Sequence, residues 1–330
     1  MNDPVVLAID GGGTATSAAL VHGSGRVLWQ GVGGRSNPTD STDEDLLEQW
    51  AALLTPAASA APRNLAVFAG VAGGSHPKLG GRLHAILEAL FPDALSVTVT
   101  HDGFNALYRG THGRPGAVVI AGTGSVVMAR DAGGCELRVG GFGYLLGDEG
   151  SGYDLGRRAI RAVLDAHDGT GPQTALTAAV LSAMDLSGPK DIVPAVYEGG
   201  RARIAALSVV VTGAAALGDT VAVEIVRESA ASLAGKLRAL LGRFECPRPV
   251  PVVLSGGVWQ SPAVADAFMQ ACGAAADIRW IKPAMPPVYG AAVNEMVLRG
   301  ELPDIGYARA FAATYGAAAA PDEGEWPWKS

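Results

Sequence analysis

Runs of five or six apolar residues that end in glycine clusters dominate the pattern of this chain, and they read as buried strands closed by tight turns. Val5-Val6-Leu7-Ala8-Ile9 leads into Asp10 and the turn Gly11-Gly12-Gly13-Thr14. The small and β-branched stretch from Thr14 to Val21 follows, then a turn at His22 to Gly25 and a strand from Arg26 to Val32. The same order recurs later. Gly116 to Ala121 is followed by Gly122-Thr123-Gly124-Ser125, a strand from Val126 to Arg130, a turn at Asp131 to Gly134, and a strand from Glu136 to Gly140. Two such hairpins predict a structural duplication.

Around the hairpins the apolar period lengthens to that of helices, alternating with short strands. Helices are predicted over 42–59, 79–90, 103–109, 152–167 and 173–184, with one long helical region over 192–244 and further helices over 262–272 and 288–298. Strands are predicted over 65–71, 96–100, 251–254 and 278–281. This alternation gives an α/β fold in which mixed sheets are flanked by helices. Thr111-His112-Gly113-Arg114-Pro115-Gly116 is the best linker, which divides the chain into domains at 1–114 and 115–330, with ligand expected in a cleft between them. A length of 330 residues suits two domains, each able to bury its own core.

Composition narrows the function classes. With 48% hydrophobic and 17% charged residues, general disorder is excluded. The net charge of −7 and the lack of a dense basic run argue against a nucleic-acid partner. Met1-Asn2-Asp3-Pro4 offers no positive n-region and no apolar stretch reaches the length of a span, so a cytoplasmic protein with no membrane partner is expected. Cys135, Cys246 and Cys272 have no CxxC spacing and are expected to be small buried hydrophobes.

The first glycine turn is neither of the two familiar phosphate motifs, because both place a helix directly after the glycines and here a strand follows. Asp10 ends an apolar strand, where it either caps the turn or meets a cation. In the second reading the N–H groups of Gly11, Gly12, Gly13 and Thr14, with the Thr14 hydroxyl, hold phosphate oxygens, while Asp10 holds magnesium through water. Gly122, Thr123, Gly124 and Ser125 offer the same chemistry from the other half, so that the two turns would clasp one triphosphate with its end toward Asp102. A third turn at Gly256-Gly257, after a buried strand, lets a nucleoside lie against the backbone or simply connects strand to helix. Asp102, after the strand 96–100, is either a helix N-cap or a carboxylate able to accept a proton from a substrate hydroxyl, with His101 a hydrogen-bonding neighbour. The block Gly140 to Gly152 carries Asp148 and Glu149 among many glycines, which suits a loop pressed against a polyhydroxylated ligand.

Taken in order, Asp10 to Thr14, Ser36-Asn37, Asp102, Gly122 to Ser125, Gly141 to Ser151, Ser255-Gly256-Gly257 and Pro287 to Ala292 resemble the N-acetylglucosamine kinase family and its BadF/BadG-type ATPase relatives in the actin/hexokinase superfamily. The resemblance implies two ribonuclease-H-like (actin-like ATPase) domains that close on ATP, magnesium and an amino sugar, and transfer of phosphate to the sugar 6-hydroxyl. It implies that Thr14 and Thr123 contact phosphates and that Gly256 and Gly257 lie near the nucleoside. Asn37, Asp102, Gly141, Phe142, Gly143 and Asp148 would hold the sugar, with Asp102 as general base. N-acetylglucosamine is the first choice of substrate, with glucosamine or N-acetylmuramic acid as alternatives; an ATPase activating an iron-sulfur dehydratase is disfavoured by the scattered cysteines. A homodimer is implied by the resemblance alone. Ala15 departs from the family, whose members commonly carry Lys or Arg there, and the tail 317–330 has no assigned role.

Overall fold

The computed structural model describes residues 4–12, 15–34, 42–60, 62, 64–273 and 277–316. Gly13, Thr14, Asn37 and the tail from residue 317 therefore lie outside the described residues. Strands β1 (Val5–Gly11), β2 (Thr16–His22) and β3 (Val27–Gly33) form an antiparallel meander. Strands β4 (Leu65–Val71) and β5 (Ser96–Thr100) extend it in parallel from the other side of β1, giving the order β3-β2-β1-β4-β5. The second sheet repeats this arrangement. Strands β6 (Gly116–Ala121), β7 (Ser125–Arg130) and β8 (Glu136–Gly140) form the meander, β9 (Val250–Ser255) runs parallel to β6, and β10 (Ile278–Ile281) lies outside it, giving β10-β9-β6-β7-β8. The duplication expected from the glycine hairpins is thus carried through all five strands of each sheet.

In the first unit, alternation along β1 sends Val5, Leu7 and Ile9 toward Leu46, Trp50 and Leu54 of α1 (Asp43–Ala60) and Leu83 and Leu87 of α2 (Pro77–Leu90). Val6 and Ala8, on the opposite face, are also buried, under α10 (Pro287–Leu298), which lies along β1 and against α3 (Gly103–Thr111). A strand covered on both faces reads as an unbroken apolar run, which is why Val5 to Ile9 shows no polar alternation. In the second unit, Val119 and Val127 pack with Leu155 and Val163 of α4 (Gly152–Asp168) and Leu233 and Leu237 of α8 (Thr220–Leu241). Phe268 of α9 (Pro262–Cys272) joins that core and stacks edge-on against Trp259.

The helical region expected over 192–244 resolves into α6 (Ile192–Ala206), α7 (Ser208–Ala216) and α8, preceded by α5 (Leu176–Met184). Gly218 at φ 87° turns the chain before α8, whose N-cap Asp219 accepts a bond from the Ala222 N–H. A helix not anticipated from the sequence, α11 (Ile305–Tyr315), starts at Asp304, which accepts from the Tyr307 N–H at 2.7 Å. Cys135 is exposed rather than buried, while Cys246 and Cys272 are half-buried, and all three are free thiols. No single helix among the described residues is long and apolar enough to cross a membrane.

The domain division needs a correction at its C-terminal end. Among the described residues, those up to Pro115 group with 281–316, and those of Gly116–Trp280 form the other compact unit, instead of 1–114 and 115–330. The reason is the packing of α10: its buried Val288, Tyr289, Ala292 and Val293 lie on α3 and β1. The approach is close because Gly290 has no Cβ; one there would collide with the main-chain carbonyl of Asn105 and come 3.0 Å from the Arg109 nitrogen. The Tyr289 hydroxyl and the His112 Nδ1 sit 2.8 Å apart in the same buried seam.

Gly290→Ala should therefore separate α10 from α3 and lower the thermal midpoint by several degrees in calorimetry, corresponding to about 1–3 kcal/mol of overpacking. Gly81→Ala on exposed α2 surface, where a Cβ meets nothing within 4 Å, should leave the midpoint unchanged or raise it. Equal effects of the two substitutions would contradict this account of the seam.

Candidate active site

Register brings the first group of residues together. Asp10 pairs with Gly70 across β1 and β4, and Gly70 pairs with Thr100 across β4 and β5, so three parallel strands end level. Asp102 follows two residues beyond Thr100. The C-terminal edge of parallel strands is where α/β sheets bind ligands, because the strand ends leave main-chain groups and loops pointing outward. Gly12 N–H donates to the Ala15 carbonyl at 2.9 Å, closing the first turn onto β2.

Asp10 is partly buried, and its carboxyl is pushed up to about 7, first by burial and further by the charge of Asp102. Asn105 opposes the shift by donating Nδ2 to Asp10 Oδ1 at 2.9 Å, and the Arg109 charge opposes it too. Asn105 is fully buried on α3 and also donates to the Gly70 carbonyl at 3.3 Å, while its own Oδ1 has no partner among the described residues. Gly70 is required there: a Cβ would collide with the Asn105 amide.

Asp102 occupies the N-cap position of α3 yet makes no capping hydrogen bond, and its own backbone is helical. The capping explanation for this acid therefore fails. Its Oδ1 lies 2.9 Å from the His101 Nδ1, which also accepts the Gly103 N–H at 2.8 Å, and the side chain is 30% exposed. A carboxylate so placed is open to a proton donor from outside the protein.

The second turn is built within the other unit. Gly122 N–H bonds the Gly124 carbonyl at 2.9 Å, and the Gly122 carbonyl accepts the Gly152 N–H at 2.7 Å, which ties the N-terminus of α4 to the turn. A Cβ on Gly122 would meet nothing within 4 Å, so the outer side of this turn is open. Ser125 donates its Oγ to the Glu149 carbonyl at 2.8 Å and its N–H to Asp148 Oδ1 at 3.3 Å. Asp148 is almost completely buried, at φ 63°, and its Oδ2 takes Arg201 Nη2 at 3.2 Å. Its neighbour Glu149 is held below the usual carboxylate range, mainly by Lys236 Nζ, 2.6 Å from its Oε2.

The third turn packs directly on the second. Gly256 has φ 111°, and a Cβ there would collide with the Ala121 carbonyl and lie 2.9 Å from the Gly122 nitrogen. The 3-10 turn Gly257–Gln260 is anchored by the Trp259 indole N–H, which donates to the Val119 carbonyl at 3.0 Å. A Cβ on Gly257 would meet open space, leaving flat backbone at this strand end. Gly141 at φ 73° and Gly143 at φ 85° carry the loop bearing Phe142, which is 72% exposed, as are its neighbours Leu145 and Leu146 in large part.

Thus the structure brings together Asp10, Asp102 and the unanticipated Asn105 in one unit. In the other it brings together Gly122 to Ser125, Gly256, Gly257 and Asp148 with the unanticipated Arg201 and Lys236. Asn105 had a weak signal, one amide flanked by Phe104 and Ala106 in the first turn of a short helix. The signal for Arg201 was the pair Gly199-Gly200 just before it, inside a helical stretch.

Among the described residues no three His, Cys, Asp or Glu side chains cluster as a metal cage. Magnesium that keeps several waters and binds chiefly through phosphates needs only one or two carboxylates, and Asp10, whose charge burial disfavours and a cation would favour, fits that role.

Two sheets of identical order, each opening on a glycine turn, define an actin-like ATPase fold. Comparison with known proteins gives the particular family: the chain belongs to the BadF/BadG/BcrA/BcrD ATPase family, whose model matches residues 7–294. It is 31% identical, over 77% of its length and 85% of the relative's, to an N-acetylmuramic acid/N-acetylglucosamine kinase of Clostridium acetobutylicum. It is 28% identical, over 78% of its length and 86% of the relative's, to an N-acetyl-D-glucosamine kinase of Dictyostelium discoideum. Among solved structures it matches a candidate N-acetylglucosamine kinase from Chromobacterium violaceum with a TM-score of 0.71, at 28% identity over 88% of this chain and 98% of that one.

The raised Asp10 carboxyl makes a prediction for the metal-free, nucleotide-free protein. The folded state keeps this proton up to about pH 7 and the unfolded chain releases it near 3.8, so the group favours folding below 3.8 and that contribution is lost as pH rises through 7. Asp10→Asn keeps an acceptor for Asn105 and cannot ionise. Its stability relative to the parent should rise between pH 4 and pH 8 in urea titrations. Because it is present in both proteins, His112, held by burial down to about 4 with the opposite slope, cancels from the difference. A pH-independent difference would rule out burial of the Asp10 charge.

Proposed function

We propose that this protein is an ATP-dependent amino-sugar kinase that phosphorylates the 6-hydroxyl of N-acetylglucosamine, with Asp102 as general base. The observation that carries this reading is the Asp102 carboxylate: it leaves its helix cap unmade and stays partly exposed after β5, at the same edge of the sheet as Asp10 on β1. The named activities of the Clostridium and Dictyostelium relatives support the substrate class.

In this reading the turn Gly11 to Thr14 in one unit and the turn Gly122 to Ser125 in the other each bind phosphate oxygens, the second through the N–H groups of Thr123 and Gly124, since those of Gly122 and Ser125 are bonded within the protein. Gly256 and Gly257 lie beside the nucleoside. Asn37, Gly141, Phe142, Gly143 and Asp148 orient the sugar, and Asp102 accepts the proton of the 6-hydroxyl as the oxygen attacks the terminal phosphorus. Asp10 would hold magnesium, and the ion would supply positive charge to neutralise the phosphates. Phosphoryl transfer depends on positioning and charge neutralisation more than on covalent help, so a site built of main-chain donors and two carboxylates suffices in kind. Asn105 acts through Asp10, holding its oxygen in place.

The test is a coupled assay of ADP release across N-acetylglucosamine, glucosamine and N-acetylmuramic acid, with phosphorus NMR of the product. N-acetylglucosamine should give the highest kcat/KM and a 6-phosphate; turnover of none of the three would refute the reading. Asp102→Asn should lower kcat by roughly 10²- to 10⁴-fold, the usual contribution of a general base, while ADP affinity is unchanged. Near-parental kcat in that variant would remove Asp102 from the role of base.

A further inference from the structure

We infer that Arg201 is the cation of the second glycine turn and a direct contact for nucleotide phosphate there. This rests on the nucleotide-binding part of the reading above. The reasoning starts from a charge problem. Asp148 is 3% exposed and both of its oxygens are engaged at the turn, one by the Ser125 N–H and one by Arg201. An ionised carboxylate at this position repels any polyphosphate that the main-chain donors attract, and within a protein that repulsion is only weakly screened. Two of the four N–H groups of the turn are also spent internally, that of Gly122 on Gly124 and that of Ser125 on Asp148. The turn therefore needs a positive group before it can hold an anion.

Arg201 is built into that place. Its Nη2 would lie 2.6 Å from a Cβ on Gly124, with Asp148 Oδ2 at 2.7 Å from the same point, so the glycine makes room for the ion pair against its main chain. The guanidinium also stands over the Tyr144 ring, 5.5 Å from the centroid, and Tyr144 in turn packs edge-on against Tyr153 of α4. Gly200, at φ 61° and ψ −161°, breaks α6 immediately before Arg201, a backbone conformation only glycine adopts readily. The break aims the following side chain at the turn.

One feature goes beyond a counter-ion role. The Arg201 Nε is buried with no hydrogen-bond partner among the described residues, although the side chain as a whole is 36% exposed. An unsatisfied charged donor is costly, and an acceptor arriving at the turn relieves that cost. Arginine presents its donors as a rigid fork, so one edge can keep Asp148 while another takes a phosphate oxygen. Asp148 alone would make the turn hostile to nucleotide; Arg201 offsets its charge beside the remaining main-chain donors.

The test is ADP binding by isothermal titration calorimetry in the absence of sugar, on the full chain. Arg201→Met should raise the Kd for ADP by roughly tenfold or more, the loss expected for one charge-assisted bond plus an uncompensated carboxylate. Arg201→Lys should recover part of the affinity. Adding Asp148→Asn to Arg201→Met should bring it back only part of the way, since repulsion is removed but the contact is not. Parental ADP affinity in Arg201→Met, with an unchanged circular dichroism spectrum and thermal midpoint, would overturn the inference. If that variant fails to fold, the double variant decides, because it buries no unpaired charge: full parental affinity there overturns the contact. A parent protein that binds no ADP also overturns it. A parent that binds ADP yet phosphorylates no amino sugar defeats the sugar-kinase reading alone and leaves this one standing.

Discussion

The first unit depends on a single buried amide. Gly70 on β4 leaves room for the Asn105 side-chain amide and Gly290 on α10 for its main-chain carbonyl, and the amide so seated holds Asp10 at the end of β1. A Cβ at Gly70 would displace the amide itself, and one at Gly290 would press on the main chain that carries it. Then Asp10 loses the hydrogen bond that partly offsets the burial of its charge. The C-terminal helix α10 thus serves the site from a distance of some two hundred residues along the chain, by closing over the helix that carries Asn105 and follows Asp102.

The duplicated sheets solve one problem with two different chemistries. Both present a glycine turn at the start of an antiparallel hairpin whose first strand is flanked by a parallel neighbour. In the first unit the turn follows Asp10, and Ala15 stands where a cation is common in the family. In the second the turn is loaded with an ion pair, Asp148 with Arg201, and with the N-terminus of α4. The scaffold repeats because mixed sheets covered on both faces bury apolar strands efficiently; the sites differ because different helices bring side chains to them, Asn105 from α3 in the first unit and Arg201 from α6 in the second.

Some residues announced themselves because their position contradicted their neighbourhood. Asp10 at the end of an unbroken apolar strand was one, and the glycines of the second and third turns were others. Asp102 stayed ambiguous, since an N-cap Asp and an uncommitted carboxylate look alike in sequence, and only the structure shows that the cap is unmade. Asn105, Arg201 and Lys236 act at the site through side chains whose partners lie 95, 53 and 87 residues away. No local period encodes such pairings.

What the chain determined by itself was the alternation of strands, turns and helices, because hydrophobic period and glycine placement act over a few residues. The tertiary structure alone decided that residues 281–316 return to the first unit, and which buried donors meet which carboxylates. Those outcomes depend on close approach between segments distant in sequence, set by whether a Cβ is present at Gly70, Gly124 or Gly290, and steric fit of that kind is fixed only when the surfaces meet.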